Sequence, residues 1–226
     1  MNPVLAIVLS MVVCTVLGVT IERVAYRPLR EAPSLAVLIT AIGVSYLLQQ
    51  VAQLAWTSNP KSFTSVVSGL KPISLFGGQL TISAETVVTI IACIVIMVVL
   101  IWFVNNTPAG HAMLAVSEDR GAAQLMGVNV NATISLTFAI GSALAAVAGA
   151  LLCSSYPTLQ PTTGAMPGIK AFVAAFLGGI LLGIIENLSK AYISTQLSDA
   201  IVFLVLVVVL IVKPTGLLGK KVNVKV

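Results

Sequence analysis

The chain has 226 residues, of which 58% are apolar and 8% charged. Soluble proteins carry roughly 45–50% apolar and about 25% charged residues, so a soluble enzyme and a disordered chain are both excluded. Lys and Arg number 12 and Asp and Glu 7. The basic excess sits in short clusters beside apolar runs, which points to orientation in a bilayer rather than to nucleic acid.

An all-α integral membrane protein follows, a polytopic helix bundle, because the apolar runs are continuous rather than alternating. Six runs are predicted as spans within a single domain over 1–226: 3–21, 34–56, 86–104, 132–154, 170–186 and 199–213. The first lacks a basic residue before it and a small-residue cleavage site after it, so it is predicted to be retained. Arg23, Arg27 and Arg30 follow it, and Lys213, Lys220, Lys221 and Lys225 lie near the C-terminus. Both clusters are expected on the cytoplasmic side.

Six single crossings cannot place both clusters on one side. Run 170–186 is therefore expected to be two half-elements, turning at Gly178, Gly179 or Gly183. Between the second and third runs, residues 57–85 predict a small outer hairpin with Gly77-Gly78 at its turn.

Several chemistries are missing. There is no phosphate-binding P-loop, no nucleophile elbow and no pair of catalytic carboxylates, so no enzymatic activity is expected. His111 stands alone, and Cys14, Cys93 and Cys153 lie in apolar runs, which predicts no metal site and no disulfide framework. Charged residues are expected only in loops and at span ends, so transport against a gradient would draw its energy from another polypeptide.

Loop 105–131 carries the most information. Pro108 breaks the preceding helix, Ser117 is the predicted N-cap, Glu118 and Asp119 fill the first turn, and Gly127 is the predicted stop. The helix so defined, 118–126, is too short to cross a bilayer. Ala122, Leu125 and Met126 share one apolar face, which predicts a docking element for a partner ahead of the alternative, an interfacial helix lying on the lipid, whose usual basic face is missing. In the second run, Ser45, Gln49 and Gln53 stack at i, i+4 and i+8, either lining a solute path or bonding between helices. In the fourth, Gly141, Ala145 and Gly149 form a small-residue stripe expected to pack helices.

Together these segments resemble the permease subunits of high-affinity branched-chain amino acid ABC transporters. The resemblance runs through IERVAYRPLR at 21–30, LITAIGVSYLLQQ at 38–50, SEDRGAAQLMGVNV at 117–130 and LTFAIGSALAAVAGALL at 136–152. It continues in PGIKAFVAAFLGGI at 167–180, LLGIIENL at 181–188 and KPTGLLG at 213–219. The resemblance implies a bacterial inner-membrane subunit that shares a solute pathway with a second permease. It implies docking to ATP-hydrolysing subunits through Ser117, Glu118, Asp119, Arg120, Ala122, Ala123, Leu125, Met126 and Gly127. Solute would arrive from an extracytoplasmic binding protein, ATP would be used by the partner, and no cofactor would be bound by this chain. Gly121 stands where related docking motifs carry a charged or polar residue, leaving Glu118, Asp119 and Arg120 to supply any salt bridge. Family members usually begin with two further spans and carry about ten more residues near position 180, so a shortened chain is expected. Alternatives are a subunit that assembles without transporting, and a facilitator that works without ATP.

Overall fold

The computed structural model describes residues 3–30, 32–62, 73–75, 80–156, 158–195 and 197–212. Among them are nine α-helices: α1 Pro3–Ile21, α2 Ser34–Trp56, α3 Ala84–Asn106, α4 Pro108–Glu118, α5 Arg120–Leu125, α6 Val130–Ser155, α7 Ala165–Leu177, α8 Gly179–Tyr192 and α9 Ser198–Val212. Four stretches are long and apolar enough to cross a membrane: Leu5–Leu29, Leu35–Trp56, Ala84–Asn106 and Val130–Ser155. Their outward side chains are apolar, as at Leu54 and Ile101. In water such a surface would aggregate; in lipid it is the solvated face. This is a multi-pass helical membrane protein.

The chain forms two compact units, Met1–Pro161 and Thr162–Val226. In the first, α1 packs along α6. The approach is closest at Gly18, where an added Cβ would lie 1.8 Å from Ser142 Oγ. Tyr26 and Phe138 stack at 5.1 Å between ring centres near one end of this contact. Below α1 the chain widens into a π turn, Glu22–Tyr26, in which the Arg27 N–H reaches the Glu22 carbonyl. A 3-10 turn, Arg27–Leu29, follows, and Pro33 precedes α2.

Helix starts follow side-chain chemistry. Ser83 caps α3, Thr107 caps α4 with Pro108 at its first position, and Asn129 caps α6. Gly110 permits the tight α3–α4 corner, since a Cβ there would lie 2.3 Å from the Val104 carbonyl oxygen.

The strands are short. Ile73–Leu75 (β2) and Leu80–Ile82 (β3) pair antiparallel with Ile73 opposite Ile82; the expected turn at Gly77-Gly78 lies outside the described residues. An unforeseen pair joins Lys61–Ser62 (β1) to Thr158–Leu159 (β4), linking the segments that follow α2 and α6.

The second unit is built on Val173, Leu182 and Val202, one from each of α7, α8 and α9. Helix α7 ends at Leu177 and α8 begins at Gly179, with Gly178 at φ 85° between them. Lys170 lies in the interior of α7 rather than in a loop or at a helix end. Its Nζ is 2.7 Å from carboxylate oxygens of both Glu186 on α8 and Asp199 on α9. The terminal lysines from Lys213 onward lie outside the described residues.

Candidate docking site

The docking element differs in its start from the sequence expectation. Thr107 and Pro108 nucleate α4 early, so Ser117 and Glu118 are its last residues. Ser117 Oγ donates back to the Leu114 carbonyl at 2.7 Å and caps nothing. Asp119 is the N-cap instead. It leaves helical geometry at φ −151°, and its carboxylate accepts from the Gly121 N–H at 2.8 Å and the Ala122 N–H at 3.0 Å. A helix already under way from Pro108 makes Ser117 interior, and the next acceptor of suitable reach takes the cap.

The stop is a Schellman motif. Gly127 has φ +84°, its N–H bonds the Gln124 carbonyl, and the Val128 N–H bonds the Ala123 carbonyl, each at 3.0 Å. Left-handed geometry of this kind disfavours any side chain. A helix of six residues, α5, is thereby fixed at both ends. Ala123 turns inward, while Leu125 is 91% and Met126 84% exposed. Ala122 is exposed beside them. Two large apolar side chains on a short, doubly capped helix form a knob suited to a partner's pocket.

A polar cluster underlies this knob. Glu22 is completely buried. It pairs with the Arg30 guanidinium, and Ser135 Oγ donates to its second oxygen at 2.7 Å. Arg30 also donates to Asn131 Oδ1. Arg120, the first residue of α5, donates to the Arg30 carbonyl at 3.2 Å. Glu22 thus ties the turn after α1 to α6, and Arg30 carries that tie to α5. Sequence reasoning missed Glu22. The available signal was an acidic residue directly after an apolar run and among three arginines, but its pairing with Arg30 depends on the π turn.

Gln49 Nε2 donates to Ser45 Oγ at 3.2 Å, and Gln53 lies one turn further. None of the described α2 side chains is buried among the described residues. An added Cβ at Gly141 or Gly149 would meet nothing within 4 Å, and Ala145 is exposed. The α1–α6 approach is made elsewhere, by Gly18 on α1 against Ser142 on the face of α6 turned toward it. His111 is exposed, with Nδ1 2.8 Å from the Thr107 carbonyl oxygen. No cluster of metal-ligating side chains occurs among the described residues.

Comparison with known proteins gives a consistent result. Residues 1–210 match the family model described as the permease component of branched-chain amino acid transport systems. The high-affinity branched-chain amino acid transport system permease protein LivH of Escherichia coli K12 is 39% identical over 225 residues, covering 93% of this chain and 72% of that protein. LivH of Salmonella typhimurium is likewise 39% identical. BraD of Pseudomonas aeruginosa, of the same description, is 37% identical over 226 residues, covering 93% of this chain and 73% of its own length. No solved structure matches.

Proposed function

Because the chain belongs to the family of permease components of branched-chain amino acid transport systems, we propose that it is the membrane subunit of an ATP-driven importer in the bacterial inner membrane. Its solute is a branched-chain or related amino acid, delivered by an extracytoplasmic binding protein. A second permease completes the pathway, and the α2 face bearing Ser45, Gln49 and Gln53 is the part of this chain turned toward it. ATP is consumed in a separate subunit that docks on α5, and this chain carries no cofactor of its own.

The observation that carries the docking assignment is the exposed pair Leu125–Met126 on a helix capped at both ends. A rigid knob transmits displacement, whereas a frayed loop would absorb it. ATP binding by the partner shifts the permease between inward- and outward-open states only through a difference in affinity for the two. The Arg120–Arg30–Glu22 chain gives that difference a route from α5 to α1 and α6.

Leu125→Asp in the complete complex tests this. Loss of a central apolar anchor weakens association by about 30-fold or more. The ATP-hydrolysing subunit is expected to be lost on purification and uptake to collapse, with membrane insertion unchanged. Retention of both the subunit and uptake refutes the docking assignment.

A further inference from the structure

Arg23 and Arg27 stand four residues apart on the turns after α1 and line an open depression of about 540 Å³ against the start of α6. Arg30 is already committed to Glu22 and Asn131, and Glu22 to Arg30 and Ser135. Neither the Arg23 nor the Arg27 guanidinium has an ion-pair or hydrogen-bond partner among the described residues. Two guanidiniums thus share one concavity without a counter-charge from those residues. Asn131 adds to the same wall. Its Oδ1 accepts from Arg30, which leaves the amide N–H groups to donate elsewhere.

The other end of the depression is apolar, formed by Leu136 and Ala139. From Asn131 to Ala139, α6 rises about 12 Å, so the depression passes from its first turn into the apolar part of a membrane-length helix. A cationic end and an apolar end on one span fit a ligand with an anionic head and a hydrocarbon tail. A free phosphate would occupy the cationic end and leave Leu136 and Ala139 unused.

We propose that this depression binds an anionic phospholipid. Its phosphodiester lies between Arg23 and Arg27 with the Asn131 amide donating, and an acyl chain runs along Leu136 and Ala139. Basic residues at the membrane surface each favour anionic lipid by about fivefold. The site is independent of which solute the chain transports and of what docks on α5.

The test is lipid retention by the full chain in mild detergent, measured by native mass spectrometry after exposure to mixed phosphatidylglycerol and phosphatidylcholine. Selective retention of phosphatidylglycerol is expected, lowered about 30-fold in Arg23→Gln/Arg27→Gln. Arg23→Lys/Arg27→Lys keeps the charge and should retain the lipid, which separates loss of binding from loss of fold. Leu136→Trp, which fills the apolar end and spares the arginines, should also lower retention. Excess inorganic phosphate should not displace the lipid. Equal retention of the two lipids, an unchanged Gln double variant, an unchanged Leu136→Trp variant, or displacement by inorganic phosphate overturns the proposal; the last assigns the cationic end to a free anion.

Discussion

Arg30→Ala and Glu22→Ala remove the same ion pair, yet their costs should differ. Glu22 has no exposure, whereas the Arg30 side chain keeps 18%. Deleting Arg30 leaves an enclosed carboxylate whose remaining bond is to one neutral donor, Ser135 Oγ at 2.7 Å. Stripping a buried ion of its partner costs about 3–5 kcal/mol. Deleting Glu22 leaves a guanidinium that still bonds Asn131 and reaches solvent. That loss is closer to a single charged hydrogen bond, about 1.5–3 kcal/mol. The gap between the two variants, roughly 1.5–2 kcal/mol, corresponds to about a tenfold to thirtyfold difference in the folded-to-unfolded ratio. The double variant should resemble Glu22→Ala, since no stranded carboxylate remains. Thermal unfolding in one detergent, read by size-exclusion recovery after heating, ranks the four proteins. Equal loss in the two single variants, or losses that simply add in the double variant, would refute the buried-charge argument.

Three other outcomes follow from the packing. Gly18→Ala should cost about 1–3 kcal/mol by overpacking, because its Cβ would meet both Ser142 Oγ at 1.8 Å and Ser142 Cβ at 2.6 Å. Thermal stability should return with Ser142→Gly but not with Ser142→Ala, and Gly141→Ala alone should be neutral in the isolated chain. Asp119→Ala should weaken α5 by about 1 kcal/mol, seen as faster amide exchange at Gly121 and Ala122, with Asp119→Asn largely retaining protection. Lys170→Met should lower the unfolding temperature several-fold more than Lys190→Met. Lys170 holds carboxylates on two other helices, whereas Lys190 makes an i,i+4 pair with Glu186, a class worth about 0.3–0.5 kcal/mol.

The four long apolar helices were readable from the sequence because in lipid the backbone must satisfy itself locally, which makes length and apolarity strong signals. Gly127 was readable for a similar reason, since the requirement for left-handed geometry belongs to one residue. The N-cap of α5 was not, because Ser117 and Asp119 are both competent caps and the choice was made upstream, by Thr107 and Pro108. Helix pairing was harder still. Gly141, Ala145 and Gly149 have the spacing that allows close packing, but spacing does not say which face a neighbour occupies; Gly18 forms no such repeat and makes the contact. Glu22 was hidden by the π turn, which shifts every later residue around the helix axis and removes the usual three- and four-residue rules for finding partners.

The break at Gly178 has an electrostatic consequence. Helices α7 and α8 contain 13 and 14 residues, each about 20 Å long, less than the roughly 30 Å hydrocarbon thickness. A helix end exposed within that layer would present half an elementary charge to a medium unable to screen it. At Gly178 two ends meet: the negative end of α7 and the positive end of α8, separated by one residue, with the Gly178 N–H bonded back to Ala174 and its carbonyl forward to Leu182. Opposite half-charges at so short a distance largely neutralise each other. The interruption therefore ends one helix and starts the next while creating little net field, and it calls for neither a bound ion nor a charged side chain to sustain it.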